Sequence, residues 1–284
     1  MTRLVALIGK PLKRRHSQIM HESAFDACGI DARYVLREIE AEEVEGVVAD
    51  ARRDGWLGLG VTAPYKQVAA RLLDEVEGPA RAIGAVNNVV RTDDGRLIGF
   101  NTDAPGFRAG VERAMGRTLA GTDVVVAGAG GAAHAVVYAC LTAGAARVTV
   151  GNRSRDAAAA LLARFVGIGE GERMATGLDD AFVLAAREAD LAVNATTVGM
   201  VDPGMTLPVD ELRPTATVFD LVYVPAETPL LAAARDRGLR AANGSEMLIA
   251  QAAAAFERWT GVGGMEDVMR TAVAPLLADS TVTA

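Results

Sequence analysis

Cysteine, histidine and lysine are all scarce in this chain. Two cysteines, Cys28 and Cys140, stand in 284 residues, each within an apolar helical pattern. That argues against a disulfide-stapled secreted fold and for buried free thiols in a reducing cytosol. Three histidines (His16, His21 and His134) lack the spacing to cysteines or carboxylates that a metal centre uses, so no metal is expected. No apolar run approaches a membrane span, and Leu4 to Ile8 is too short for a signal peptide. Basic residues do not predominate. There are 29 against 36 acids, a net charge of −7, which leaves no basic stripe for nucleic acid. The expectation is a cytoplasmic protein acting on a small molecule, a monomer or homodimer, with neither nucleic acid nor membrane as partner. Half the residues are apolar, enough to bury the cores of two modest domains.

One further absence is local. No acid occurs between His134 and Arg155, and this falls inside the most organised stretch of the chain. Val124 to Ala127 is a short β-branched run, as in a strand buried on both faces. Gly128-Ala129-Gly130-Gly131-Ala132 follows, then an apolar helix to Ala143, a stop at Gly144, and a second strand from Arg147 to Val150. This is a βαβ unit whose glycines bring backbone against a pyrophosphate at a helix N-terminus. Glycines also serve ordinary tight turns, but here strand and helix both flank them. A site for NAD places an acid after the second strand, to accept from the ribose 2′-hydroxyl. Asn152, Arg153 and Ser154 stand there instead, donors and a cation suited to the 2′-phosphate of NADP. The alternative is an arginine on an exposed loop.

The flanking segments alternate strand and helix. Strands are expected at Leu4–Ile8, Ala32–Leu36, Gly58–Val61, Leu191–Val193 and Thr217–Asp220. A hairpin joins Asn88–Arg91 to Leu97–Phe100 through Asp93-Asp94-Gly95. Ser17 reads as the N-cap of a helix to Cys28, and Pro64 as the opening of another. Further helices are expected at 41–54, 103–114, 157–165, 178–187 and 228–237, with two last ones at 245–260 and 266–278. The pattern implies an α/β protein: an N-terminal α/β unit, then a Rossmann-like doubly wound parallel sheet. The last two helices, having no strands of their own, are expected to pack back on the first unit.

Chemistry gathers at a few positions. Of the basic residues only Lys10, Lys13 and Lys66 are lysines, so a surface role for Lys66 loses weight. Lys66 follows a strand end, where α/β sheets place ligands, and a lysine in a drying cleft can act as general acid or base. Asp103, two residues before Pro105, serves equally well as a helix cap. Asn87 and Asn88 suit a turn, and Thr62 a strand end. Gln251 lies on the helical face of Leu248, Ala252, Ala255, Phe256 and Trp259. A buried amide there must find partners, although a boundary position facing water is the alternative.

Together these pieces resemble the shikimate dehydrogenase family over nearly the whole chain. The matching segments are V-T-A-P-Y-K (61–66), G-A-V-N (84–87), N-T-D (101–103), G-A-G-G-A (128–132), N-R-S (152–154), D-L-V-Y-V-P (220–225) and G-S-E-M-L-I-A-Q-A (244–252). The resemblance implies a substrate-binding domain over 1–103, an NADP-binding domain over 104–242, and helices over 243–284 returning to the first, with a cleft between the domains. It implies the shikimate step of aromatic amino acid biosynthesis, or oxidation of quinate or another cyclic hydroxy acid. Lys66 and Asp103 would be the catalytic pair. Thr62, Asn87, Tyr223 and Gln251 would hold ring hydroxyls or the carboxylate, and Leu221 and Gly244 would flank the nicotinamide. A non-catalytic dinucleotide-binding regulator is the contrasting possibility; it would need neither Lys66 nor Asp103.

Two departures bear on substrate. The family usually reads H-S-x-S-P-x-x-H after its first strand, both serines gripping the substrate carboxylate. This chain reads R-R-H-S-Q-I-M-H, so Ser17 keeps the second serine and Arg15 replaces the first. Gly60 stands where an asparagine commonly precedes Val-Thr. Arg15 offers a guanidinium fork for a carboxylate, unless Arg14 and Arg15 simply fan into water.

Overall fold

The computed structural model describes residues 2–278. The chain forms two compact units. The first runs to Thr102 and takes in Ile249–Leu276, while the second holds Asp103–Leu248.

In the first unit β1 (Arg3–Gly9), α1 (His16–Ala27), β2 (Ala32–Glu38), α2 (Val44–Asp50), β3 (Trp56–Val61) and α3 (Lys66–Ala70) alternate. Then come β4 (Glu75–Val76), α4 (Gly78–Ile83) and the hairpin of β5 (Asn88–Arg91) and β6 (Leu97–Phe100). The sheet order is β2-β1-β3-β5-β6-β4. Strand β1 is parallel to β2 and β3, and β5 is antiparallel to β3 and β6. One core joins Ala6, Ile8, Leu59, Val61 and Val89 of the strands to Val44, Val47 and Ala69 of the helices. Each large apolar side chain so buried contributes about 1.5–3 kcal/mol.

In the second unit α5 (Asp103–Met115) leads into β7 (Asp123–Ala127), α6 (Gly131–Thr142), β8 (Arg147–Gly151), α7 (Arg155–Ala163) and β9 (Glu172–Thr176). Next are α8 (Asp180–Glu188), β10 (Leu191–Asn194), β11 (Thr217–Asp220), α9 (Pro229–Asp236) and β12 (Arg240–Asn243). The order β12-β11-β10-β7-β8-β9 is parallel throughout. This is the doubly wound arrangement, and its strand order switches between β7 and β10. Val124, Val125 and Val126 are fully buried there, as a strand covered on both faces requires.

The chain ends with α10 (Ser245–Thr260) and α11 (Glu266–Ala278). Residues Ile249–Leu276 of these helices belong to the first unit: Trp259 donates through Nε1 to the Val89 carbonyl at 2.9 Å, and Phe256 lies 5.1 Å from Phe25.

Several local expectations are corrected. Ser17 does not cap α1. The Ile19 N–H donates to the Arg15 carbonyl at 3.0 Å, so the helix starts at His16 with Arg15 as its cap. Pro64 does not open α3, because Tyr65 N–H closes a turn onto the Thr62 carbonyl and the helix begins only at Lys66. Asp103 is the first residue of α5 itself. The helix expected over 41–54 ends at Asp50, where the chain turns through Gly55 (φ +91°) to enter β3. Cys28 caps α1 and is only half-buried, whereas Cys140 is buried and its thiol is pushed up to about 12 by burial. Strands β9 and β12 escaped sequence reading because edge strands need no continuous apolar run. Among the described residues no helix is long and apolar enough to cross a membrane.

Candidate active site

In the first unit the ends of β3 and β5 bring three of the expected residues together. Val61 N–H donates to the Asn87 carbonyl at 2.8 Å, and Val86 N–H donates to the Lys66 carbonyl at 3.2 Å. Thr62, the residue after β3, donates its N–H to Ile8 at 2.9 Å, which ties it to the end of β1. Thr62 and Lys66 are half-buried and Asn87 is buried. The Asn87 side chain is held firmly. Its Nδ2 donates to Thr102 Oγ1 at 3.0 Å, while its Oδ1 accepts from Thr102 N–H and Asn88 Nδ2, each at 2.9 Å.

Around α1 the arrangement is less conventional. Arg15 is exposed, and its Nε donates to Gln18 Oε1 at 3.0 Å. Gln18 in turn donates to the Tyr34 carbonyl at 3.1 Å. Ser17 is half-buried in the first turn of α1. Gln251, in the middle of α10, is half-buried among Leu248, Ala252 and Ala255, which are buried.

In the second unit the glycine turn meets the expected 2′-phosphate loop. Gly128 N–H donates to the Gly151 carbonyl at 2.8 Å, so the ends of β7 and β8 stay paired as the chain leaves the sheet. Gly128 has φ +111°, and a Cβ there would stand 2.7 Å from Thr196 and 3.1 Å from the Ala195 carbonyl. Only glycine turns there. Gly130 caps α6, and a Cβ on Gly130 or Gly131 would meet no heavy atom within 4 Å. Ala129 is half-buried, while Gly130, Gly131 and Ala132 are exposed. The first turn of α6 thus offers open backbone N–H groups at the switch point of the sheet, a fit for a pyrophosphate.

Beside it, Asn152 donates through Nδ2 to the Ser154 carbonyl at 3.0 Å, and Ser154 Oγ caps α7 by accepting from Ala157 N–H at 3.3 Å. Arg153, between them, is exposed. Ser154 is therefore committed to its helix, while Asn152 shapes the loop that presents Arg153. Such a donor set suits a phosphate monoester.

Leu221 and Tyr223 lie just beyond β11. Leu221 N–H donates to the Asn194 carbonyl at 3.0 Å, and a Cβ on Gly244 would collide with the Leu221 carbonyl, so glycine lets these segments touch. Beneath them Asp220, fully buried, accepts from Asn194 Nδ2 at 2.9 Å, Val222 N–H at 3.0 Å and Thr228 Oγ1 at 2.7 Å. Burial raises its pKa above the usual carboxylate range, opposed by those donors. Asp220 opens the D-L-V-Y-V-P motif, but the sequence alone assigns it no part. It ties the loop carrying Leu221 and Tyr223 to the end of β10.

Comparison with known proteins agrees with this architecture. Residues 7–89 match the shikimate dehydrogenase substrate binding domain, and residues 244–274 match the shikimate 5′-dehydrogenase C-terminal domain. A protein of Symbiobacterium thermophilum named shikimate dehydrogenase (NADP(+)) is 42% identical over 276 residues, covering 95% of this chain and 93% of that one. The crystal structure of shikimate 5-dehydrogenase from Thermus thermophilus in complex with NADP(H) and shikimate superposes with a TM-score of 0.83. It is 37% identical and covers 95% of this chain and 99% of that one. Quinate dehydrogenase from Corynebacterium glutamicum in complex with NAD gives a TM-score of 0.89 at 34% identity, covering 96% of this chain and 99% of that one. With both sheets, the glycine turn and full-length likeness in agreement, the chain belongs to the shikimate dehydrogenase family.

Proposed function

We propose that this chain is an NADP-dependent oxidoreductase that interconverts shikimate and 3-dehydroshikimate, or a close cyclic hydroxy acid and its ketone. The observation that carries this is the likeness to NADP-dependent shikimate dehydrogenases over 95% of the chain, with Lys66 and Asp103 both present in their motifs. In this reading residues 1–103 bind substrate, residues 104–242 bind NADP, and residues 243–284 return to the substrate part. The protein would work in the cytoplasm, as a monomer or homodimer, without nucleic acid.

Gly128, Ala129, Gly130, Gly131 and Ala132 would hold the pyrophosphate, Asn152, Arg153 and Ser154 the 2′-phosphate, and Leu221 and Gly244 the nicotinamide. When bound, NADP supplies the carbon that accepts or returns the hydride. Lys66 Nζ takes the proton of the reacting ring hydroxyl during oxidation and returns it during reduction. Asp103 holds that hydroxyl in line for transfer. Thr62, Asn87, Tyr223 and Gln251 hydrogen-bond the remaining hydroxyls and the carboxylate, with Ser17 and Arg15 on the anionic end.

Quinate is the second reading, favoured by the likeness to a quinate dehydrogenase and by Arg15 and Gly60 in the substrate segment. Initial rates with NADP⁺ and NAD⁺ over shikimate, quinate and other cyclohexane and cyclohexene carboxylates distinguish them. Turnover of none of these acids with either cofactor would overturn the enzymatic reading in favour of a dinucleotide-binding regulator.

A further inference from the structure

Asn194 is the last residue of β10 and is 1% exposed, with both ends of its amide engaged. Its Nδ2 donates to the Val198 carbonyl at 3.1 Å and to Asp220 Oδ1 at 2.9 Å. Its Oδ1 accepts from Thr196 N–H at 3.1 Å, Thr196 Oγ1 at 2.7 Å and Thr206 Oγ1 at 3.0 Å. The backbone partners fix which end of the amide is which, because a peptide N–H only donates and a carbonyl only accepts. One side chain thus gathers the loop that leaves β10, from Ala195 to Thr206.

That loop is the wall against which the glycine turn bends. Thr196 and the Ala195 carbonyl are what a Cβ on Gly128 would strike, and Ala195 N–H donates to the Ala127 carbonyl at 2.9 Å, just before the turn. On its other side Asn194 meets Asp220, which carries the restraint into the loop after β11. Asp220 accepts from Val222, which lies between Leu221 and Tyr223, and from Thr228, the cap of α9. Strands β7, β10 and β11 are parallel neighbours, so the three loops leave the sheet at one end. The partners that Asp220 binds here are all neutral donors. Burying a carboxylate among neutral groups is costly, and a fully satisfied buried network of this kind specifies one arrangement of the chain.

We propose that Asn194 is a positioning residue of the cofactor site: through Thr196 it sets the Gly128 turn, and through Asp220 it sets the loop of Leu221, so one amide fixes the spacing between the pyrophosphate and nicotinamide ends. The inference rests on the assignment of those two segments to NADP made above.

The test is a double-mutant cycle of Asn194→Asp and Asp220→Asn, read as Kd for NADP⁺ and for NAD⁺ by fluorescence titration. Measurements are made where circular dichroism shows each variant folded, since a merely structural role would leave the Kd of folded protein unchanged. Asn194→Asp keeps the accepting oxygen but removes both N–H donors and sets two carboxylates face to face. It is expected to weaken NADP⁺ and NAD⁺ alike, by about ten- to a hundredfold, the range for a hydrogen bond to a charged group. In the exchanged pair an amide at 220 again donates to a carboxylate at 194, so the double variant should lose less than the product of the two single losses. A Kd for both cofactors within about twofold of the parent in folded Asn194→Asp overturns the inference, as do losses that simply multiply in the double variant. Should the parent bind neither cofactor, the assignment of the segments to NADP fails first and the inference with it. If Asn194→Asp does not fold, Thr206→Val decides. It removes one donor from Asn194 Oδ1 and should weaken both cofactors by about three- to tenfold, whereas a parental Kd overturns the inference.

Discussion

The imidazole of His21 lies stacked on the ring of Tyr34, 4.5 Å between centroids and 22° between planes, with Phe256 and Trp259 closing the other sides. Burial alone holds this histidine neutral, lowering its pKa to about 3 from 6.5. The unfolded chain takes up a proton below pH 6.5 that the folded chain refuses until about pH 3. Stability therefore falls as pH drops through 6.5, with a loss of about 2 kcal/mol by pH 5. His16, also lowered by burial and then by Arg14, acts in the same direction. Urea unfolding at about pH 7 and pH 5 measures the loss. In His21→Phe, which keeps an aromatic ring in the stack, the pH dependence should shrink by roughly that 2 kcal/mol. An unchanged pH dependence would mean that His21 takes up its proton while folded.

Lys66→Ala tests the proton transfer. Losing a general acid–base lowers kcat by about 10²–10⁴, roughly 3–5 kcal/mol of barrier at 1.36 kcal/mol per decade. NADP⁺ affinity, measured by fluorescence titration, is expected to stay the same. Near-normal turnover removes Lys66 from the mechanism.

Arg153 stands exposed between a loop-shaping asparagine and a helix-capping serine. Arg153→Ala should weaken NADP by on the order of 1.5–3 kcal/mol, the range for a charge-assisted pair, and leave NAD almost untouched. Calorimetric titration with both cofactors reads the difference. Equal losses for the two would assign Arg153 to the fold.

Arg15 has its Nε engaged by Gln18. This anchors the guanidinium root while its terminal nitrogens extend from an exposed residue. Arg15→Ala should raise KM for a carboxylate substrate and shrink the preference for the acid over its neutral amide, with kcat nearly constant. A preference that survives intact makes Arg15 a surface residue and leaves the anion to other groups.

Local pattern carries much of this protein. The β-branched run at Val124–Val126, the glycines after it and the apolar helix to Thr142 obey rules that act within about thirty residues, and so does the hairpin at Asp93-Asp94-Gly95. Alternation of such segments was enough for a doubly wound sheet, and the absence of an acid before Arg155 pointed to NADP. Tertiary structure decided what no local rule contains. Edge strands β9 and β12 exist because a neighbour supplies their hydrogen bonds, so their own residues need not be apolar. Helix α1 starts at His16 because Arg15 offers the first carbonyl, which frees Ser17 from capping. The Tyr34 hydroxyl of β2 sits over a glycine of β3, and the rings beside it come from α1 and α10. Those residues, His21, Tyr34, Gly60 and Trp259, belong to four different elements of the chain. They meet only because the order β2-β1-β3 lays two bare glycines beneath an aromatic layer. What a side chain rests on depends on which strand lies beside it, and that is a property of the sheet.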